Sequence, residues 1–117
     1  MNEVQGSGVD LITSRRNPLV RRLRSLATSS GRQQDGHLLL EGTHQVQELL
    51  SQPRRNADPV KVMATPTWLN SHQHLIDRLA GQIDLQPMAD EALRAALSTV
   101  NPDGVACLWP IARLPVS

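Results

Sequence analysis

The sequence has no phenylalanine and no tyrosine, and its aromatic content of 2% comes from Trp68 and Trp109 alone. A core built from this chain must therefore consist mainly of Leu, Val, Ile and Ala side chains. Proteins that bind single-stranded nucleic acid stack bases on exposed aromatic rings, so this mode of recognition is disfavoured. The 117 residues are enough for one domain that folds without metals or disulfides.

Cysteine and long apolar segments are also scarce. The single cysteine, Cys107, cannot form an internal disulfide, which fits a reducing cytoplasm. Its alternation with Val105 and Trp109 predicts a small buried residue in a strand rather than a reactive thiol. No apolar run approaches the roughly 20 residues of a membrane-spanning helix. The first residues lack the basic and apolar parts of a signal peptide, and residues 1–11 are interpreted as a flexible tail.

Acidic residues are absent from residues 12–32, although this segment contains six of the twelve basic residues. The formal net charge of the chain is only +1, so positive charge is concentrated near one end. Arginine forms two parallel hydrogen bonds to a phosphate, and a surface of one charge sign favours a polyanion. An ordinary solvated helix face would also carry arginines. Their continuation before and after the predicted helix favours the functional interpretation.

The pair Asn17-Pro18 predicts the start of that helix, because Asn caps backbone N–H groups and Pro suits the first helical position. Gly31 is expected to end it. Arg21 lies opposite the apolar stripe on a helical wheel, and Arg22 and Arg24 flank the stripe. The stripe itself consists of Leu19, Val20, Leu23, Leu26 and Ala27.

Strands and helices alternate through the rest of the chain. Strands are predicted at 37–42, 60–64, 83–85 and 105–109. Helices are predicted around Val46 and Leu50, from Thr65 to Gly81, and over 89–98, with polar connections at 52–59 and 101–104. This alternation is typical of an α/β domain with three layers, α/β/α, around a small and largely parallel sheet.

Residues with catalytic or metal-binding chemistry do not form a recognised motif. The four histidines have no metal-ligand spacing. Glu41 and Glu48 are expected to cap or pack rather than to transfer protons, and the isolated glycines form no phosphate-binding loop. We therefore predict no catalytic, cofactor-binding or metal-binding residue, and no activity of this chain alone.

Several segments occur in a recognisable order and spacing over residues 12–113. They are Ser14, Asn17, Pro18, Val20 and Arg21 at the start; Leu40, Glu41 and Gly42 in the first strand; Val46 and Glu48; VMATPTWL at 62–69; and NPDGVACLWP at 101–110. In these segments the sequence resembles the N-terminal substrate-binding domain of SpoU-family (SPOUT-class) RNA 2′-O-ribose methyltransferases.

The resemblance implies a four-stranded mixed sheet between helices, as in ribosomal proteins that bind kinked RNA. It implies an RNA substrate-binding domain at 12–113. It also implies that residues 114–117 begin a linker to a C-terminal catalytic domain absent from this chain. That domain would bind S-adenosylmethionine, methylate ribosomal or transfer RNA in the cytoplasm, and form the homodimer.

Structured RNA is thus the expected partner of this chain, recognised through its shape and phosphates. Two alternatives are a protein-interaction domain that binds an acidic partner and a small complete α/β enzyme. No membrane or metal is expected. The residues predicted to contact RNA are Arg15, Arg16, Asn17, Arg21, Arg22, Arg24 and Arg32.

Overall fold

The computed structural model describes residues 10–51, 58–98 and 102–113. The helices are α1 (Pro18–Ser25), α2 (Ser29–Asp35), α3 (Thr43–Leu50), α4 (Pro66–Ser71), α5 (Gln73–Arg78) and α6 (Asp90–Ala96). The strands are β1 (His37–Glu41), β2 (Val60–Ala64), β3 (Ile83–Pro87) and β4 (Val105–Pro110), which a short 3₁₀ helix (Ile111–Arg113) follows. Most of the predicted tail (residues 1–9), most of the predicted 52–59 loop and the predicted linker at 114–117 lie outside the described residues.

The four strands form one mixed sheet in the order β1-β4-β2-β3. Strands β2 and β3 are parallel, whereas β4 is antiparallel to both of its neighbours. The mixed sheet implied by the resemblance is confirmed, and the largely parallel sheet expected from the alternation is wrong. Ala64 is opposite both Pro87 at the end of β3 and Val105 at the start of β4. The chain therefore re-enters the sheet at the end where β3 finishes, so β4 must run in the opposite direction.

Alternate residues of β4 face the two sides of the sheet, as the pleat of a strand requires. Ala106 and Leu108 pack in one cluster of buried residues, whereas Val105, Cys107 and Trp109 pack in the other. All five side chains are buried, and Cys107 is fully enclosed, as the alternation predicted. The strand is thus the centre of two cores, and the three-layer α/β/α architecture is confirmed.

Each core is completed by a different set of helices. On one side, α1 and α6 cover the sheet through Val20, Leu23, Leu26, Ala92, Leu93 and Ala96. On the other side, α3, α4 and α5 cover it through Val46, Leu50, Trp68, Leu75 and Ile76. The first layer contains the predicted RNA-binding helix. We call the α1, α2 and α6 side of the sheet the arginine side.

Helix α1 ends earlier than expected, and Gly31 lies inside α2 rather than at a helix end. The side chain of Thr28 caps α2 by accepting a hydrogen bond from the backbone N–H of Gly31 at 3.1 Å. A Cβ atom at Gly31 would lie 1.8 Å from the carbonyl oxygen of Ser25. Glycine is therefore required for the close approach of α2 to the end of α1. Gly36, with φ of 82°, ends α2 in the left-handed conformation.

The helix predicted from Thr65 to Gly81 is two helices, separated at His72. The imidazole Nδ1 of His72 donates to the carbonyl oxygen of Trp68 at 2.9 Å. In a continuous helix the backbone N–H of His72 would bond to that same oxygen. The side chain replaces the backbone donor, and its ring stacks on the indole of Trp68 with centroids 4.1 Å apart.

Strand β1 lies at the edge of the sheet, and its residues are half-buried rather than buried. The segment before α1 also contacts the sheet, because Ile12 forms a parallel bridge with Met88 beyond the end of β3. Within the described ranges, no helix is long and apolar enough to cross a membrane.

Candidate nucleic-acid interface

A tight turn fixes the chain before α1. The backbone N–H of Asn17 donates to the carbonyl oxygen of Ser14 at 3.2 Å, and the N–H of Arg16 donates to the Ser14 hydroxyl at 3.0 Å. The Oδ1 atom of Asn17 accepts from the N–H of Leu19 at 2.8 Å, which caps the helix as predicted. Arg15 and Arg16 are exposed on this turn. Their side chains can reach a ligand, while Asn17 has a structural role that the turn already explains.

Arg21 and Arg24 occupy the solvent-facing side of α1. Both are exposed, whereas Val20 and Leu23 on the opposite side are fully buried. Residues three positions apart on a helix are neighbours on its surface, so the two guanidinium groups extend from one face. Within residues 10–51, 58–98 and 102–113 neither takes part in an ion pair. Their charges are therefore available to an external anion.

Arg22 differs, because an acidic residue outside the 12–32 segment neutralises its charge. Its Nε atom donates to Oδ2 of Asp35 at 2.8 Å, and its Nη2 atom donates to Oδ1 at 2.9 Å. The imidazole Nδ1 of His37 lies 3.0 Å from the same Oδ1. The guanidinium thus connects α1 to the end of α2 and the start of β1. The sequence left Arg22 without an acidic partner, and the tertiary structure supplies one.

The pKa values of this pair shift in the directions that such a contact requires. The hydrogen bond from Arg22 lowers the pKa of the Asp35 carboxyl, with a smaller contribution from His37. The same hydrogen bond raises the pKa of Arg22, against the opposing effect of burial. Both side chains are therefore charged at neutral pH. A phosphate could bind Arg22 only in competition with Asp35.

Arg32 is half-buried, and its guanidinium makes a structural contact as well. Its Nη1 atom donates to the carbonyl oxygen of Leu26 at 3.1 Å, which satisfies a free carbonyl at the end of α1. The positive charge is also favourable at a helix C-terminus. The rest of the side chain lines an open groove of about 330 Å³ with Leu23, Leu26, Ala27, Leu38, Leu39, Leu40, Glu41, Ala96 and Ser98.

One arginine that the sequence did not single out lies on the same side of the molecule. Arg94 of α6 lines a groove of about 330 Å³ together with Arg15, Glu91 and Ala95. Arg94 stands far from the 12–32 segment in the sequence, and no local pattern connects them. Only the packing of α1 against α6 brings Arg94 near Arg15.

The described arginines are thus distributed unequally about the sheet. Arg78, an exposed residue of α5, belongs to the opposite layer. Seven arginines are on the arginine side: Arg15, Arg16, Arg21, Arg22, Arg24, Arg32 and Arg94. An exposed surface with this excess of guanidinium groups can bind phosphates through charge-assisted hydrogen bonds.

The end of the sheet carries a separate polar network around Trp68. Its indole Nε1 donates to the hydroxyl of Thr43 at 2.8 Å, and the backbone N–H of Thr43 donates to Oδ2 of Asp103 at 2.8 Å. This backbone hydrogen bond lowers the pKa of Asp103. The network joins the start of α3, the buried indole and the turn before β4. It is a structural connection that the spacing of these residues in the sequence does not reveal.

The other residues considered for chemistry, Glu41, Glu48 and Cys107, make structural contacts or are buried. Glu41 accepts hydrogen bonds from the backbone and side chain of Ser98 at 3.4 and 3.2 Å, and Glu48 lies 3.4 Å from the exposed imidazole of His44. Cys107 is enclosed by the core and inaccessible to a substrate. In the part of the chain that the structure describes, no three or more His, Cys, Asp or Glu side chains are grouped for metal binding.

The chain is similar in sequence to one protein family and to one longer protein. The chain matches the MRM3-like substrate binding domain family over residues 17–107. An uncharacterized tRNA/rRNA methyltransferase of Synechocystis sp. is 41% identical over 100 residues, which make up 85% of this chain and 35% of that protein. The chain thus spans about a third of the length of the curated relative that it matches.

Two solved structures share the fold at low sequence identity. An RNA 2′-O ribose methyltransferase has a TM-score of 0.67 at 18% identity, over 92% of this chain and 40% of that one. The AdoMet-bound rRNA methyltransferase from Sinorhizobium meliloti has a TM-score of 0.60 at 16% identity, over 87% of this chain and 36% of that one. In both cases the similarity covers a minor part of the longer enzyme.

Proposed function

The chain belongs to the MRM3-like substrate binding domain family, and from this premise we propose that it recognises the RNA substrate of a ribosomal or transfer RNA 2′-O-ribose methyltransferase. The family membership confirms the resemblance drawn from the sequence. The relatives that it matches are much longer, so the methyl transfer belongs in this proposal to a part of the protein that the chain does not include.

One observation carries the proposal: exposed arginines without acidic partners gather on one side of the sheet. Arg15, Arg16, Arg21 and Arg24 are all exposed on the turn before α1 or on the outer face of α1. Among the described residues none of the four forms an ion pair. RNA phosphates are the anions that such a surface would meet in a substrate-binding domain.

The predicted RNA-binding residues divide into two groups with different roles. The four exposed arginines make the phosphate contacts. Asn17 caps the helix that carries them, and Arg22, whose charge Asp35 balances, holds α1 against α2. Arg32 binds the end of α1 and adds positive charge to the surface. In this division, replacement of Arg22 or Arg32 affects stability and binding together.

Recognition depends on RNA shape and backbone rather than on base stacking. Trp68 and Trp109 are 4% and 3% exposed, so neither ring can stack on a base without unfolding. Double-stranded or folded RNA is commonly recognised through its phosphates and ribose hydroxyls. A structured region of ribosomal or transfer RNA is therefore the substrate class that fits this surface.

S-adenosylmethionine belongs to the whole enzyme in this proposal and not to this domain. The residues present do not fit the cofactor, because the described grooves are open surface depressions rather than an enclosed pocket for a nucleoside. The positive-φ glycines, Gly36, Gly42, Gly81 and Gly104, each lie alone at a turn. We further propose a cytoplasmic enzyme that dimerises through its catalytic part.

Salt-dependent RNA binding by the 117-residue chain tests the proposal. If the four exposed arginines contact phosphates, log K for a tRNA or rRNA transcript should fall against log salt with a slope of about −3 to −4. A salt-independent affinity, or no binding at low salt, would contradict it. The alternative, an acidic protein partner, predicts that polyglutamate of matched charge competes as well as unlabelled RNA does.

A further inference from the structure

The groove between the turn before α1 and helix α6 has two basic side chains from distant parts of the sequence. It measures about 330 Å³ and is lined by Arg15, Glu91, Arg94 and Ala95. Its α6 wall is fixed, since Ala95 packs against the buried cluster that contains Leu23 of α1 and Leu93 of α6. The position of this wall is thus determined by the core rather than by a mobile segment.

The charged groups of this groove are not paired with one another. Arg15, Arg94 and Glu91 are exposed, and across the described ranges none of them forms an ion pair. Glu91 and Arg94 are three positions apart on α6, a spacing that allows a salt bridge, yet none is present. Both guanidinium groups therefore remain available for an anion.

We propose that Arg15 and Arg94 together bind a single phosphate of the RNA, so that the RNA-binding surface continues from α1 across α6. The inference rests on the proposed function and adds a residue to it. The lining of this groove, two arginines and one glutamate, has a formal charge of +1, and Arg94 also lines a second groove with Asp90 and Asp103. The local charge therefore suits at most one phosphodiester. Glu91 disfavours a second phosphate in the same groove, because like charges repel.

A double-mutant cycle tests whether the two arginines share one phosphate. The variants are Arg15→Gln, Arg94→Gln and the double variant, each titrated with a tRNA transcript at several salt concentrations. Arg78→Gln is the matched control, because Arg78 is an exposed helical arginine in the layer on the other side of the sheet. Circular dichroism and thermal melts establish that each variant remains folded.

Each single groove variant should weaken RNA binding about three- to tenfold, and Arg78→Gln should have a smaller effect. With a shared phosphate, the double variant should lose about 0.7–0.9 of the salt slope, the value for one contact. The affinity lost by the double variant should also be smaller than the product of the two single fold-losses, because the second change acts on a contact already lost. Glu91→Gln should tighten binding.

The contrary outcomes separate this inference from the proposed function. If Arg94→Gln behaves like Arg78→Gln while Arg21→Glu with Arg24→Glu abolishes binding, the proposed function stands and the contribution of α6 is wrong. If the fold-loss in affinity of the double variant equals the product of the two single losses, and its salt slope falls by the value for two contacts, the arginines bind separate phosphates. The shared site is then wrong. If the parent chain does not bind RNA, the proposed function itself fails.

Discussion

Arg22 and Asp35 form a two-point ion pair that joins helix α1 to the end of α2. Both carboxylate oxygens of Asp35 are engaged, at 2.8 and 2.9 Å from the guanidinium nitrogens. The Arg22 side chain is 39% exposed and that of Asp35 is 14% exposed, so the pair is only partly shielded from water. This contact makes one arginine of the basic helix structural, while its neighbours on the outer face are exposed and form no ion pair within the described residues.

Replacement of the exposed pair should affect binding without affecting the fold. The double variant Arg21→Glu/Arg24→Glu should retain nearly the thermal stability of the parent, because exposed charges contribute little. It should lose RNA affinity, since attraction to phosphate becomes repulsion. Thermal melts and RNA titrations measured on the same sample would check both parts. Loss of folding in this variant would mean that the outer face of α1 is assigned incorrectly.

Arg22→Glu should behave differently from that double variant. A glutamate at residue 22 would face Asp35, and we expect a loss of about 1 kcal/mol in the free energy of unfolding, from the upper range for partly exposed pairs. The reversed pair, Arg22→Asp with Asp35→Arg, should recover part of this loss. Equal stability of Arg22→Glu and the parent in urea denaturation would show that the ion pair contributes nothing to the fold.

Acid should destabilise the protein partly through Asp35. The pKa of this carboxyl is lower in the folded state than its ordinary value of 3.8, chiefly because of the hydrogen bond from Arg22. Its stabilising contribution is therefore present at pH values above 3.8 and is lost as the pH falls through the folded pKa. Asp35→Asn and Arg22→Gln should each reduce the difference in melting temperature between pH 7 and pH 3. An unchanged difference in both variants would rule out this contribution.

Leu23→Ala should destabilise the core beneath the proposed RNA-binding surface. Leu23 is 1% exposed and packs with α6, so we expect a cost of about 2–5 kcal/mol in the free energy of unfolding. The fraction that remains folded should still bind RNA, since no exposed arginine is altered. Leu11→Ala is a control, because Leu11 is 43% exposed and should cost far less. Comparable destabilisation in the two variants would contradict the assigned buried face.

Thr43→Val should leave the buried indole N–H of Trp68 without its acceptor. The hydrogen bond from Nε1 of Trp68 to the Thr43 hydroxyl is 2.8 Å long, and Trp68 is 4% exposed. An unsatisfied buried donor costs about 1–3 kcal/mol, which urea denaturation would detect. Thr43→Ser keeps the hydroxyl and should remain close to the parent. If the valine and serine variants were equally stable, this hydrogen bond would have no net effect.

Local signals in the sequence predicted most helix and strand positions. Asn17 followed by Pro18 caps α1 as expected, and Thr65, the predicted start of a later helix, caps α4, because capping depends on residues only a few positions apart. The alternation of β4 correctly identified Cys107 as buried. These features depend on short-range geometry, so a single sequence contains the information.

The errors arose where a long-range contact decided the outcome. Gly31 was predicted to end a helix, but it lies inside α2, where its missing side chain allows close contact with the carbonyl oxygen of Ser25. His72 interrupts a predicted helix because its side chain bonds to the carbonyl oxygen of Trp68. The direction of β4 depended on the end of the sheet at which the chain re-enters, which periodicity does not encode.

The sequence by itself determined that this protein has a basic helix with one apolar face, because charge and helical period are local properties. Only the tertiary structure decided which arginines are free. In the folded chain Arg22 binds Asp35 and Arg32 donates to the carbonyl oxygen at the end of α1. Arg94 lines the same groove as Arg15. The physical reason is that availability of a charge depends on its neighbours in space, and the packing of α1, α2 and α6 on the sheet sets those neighbours.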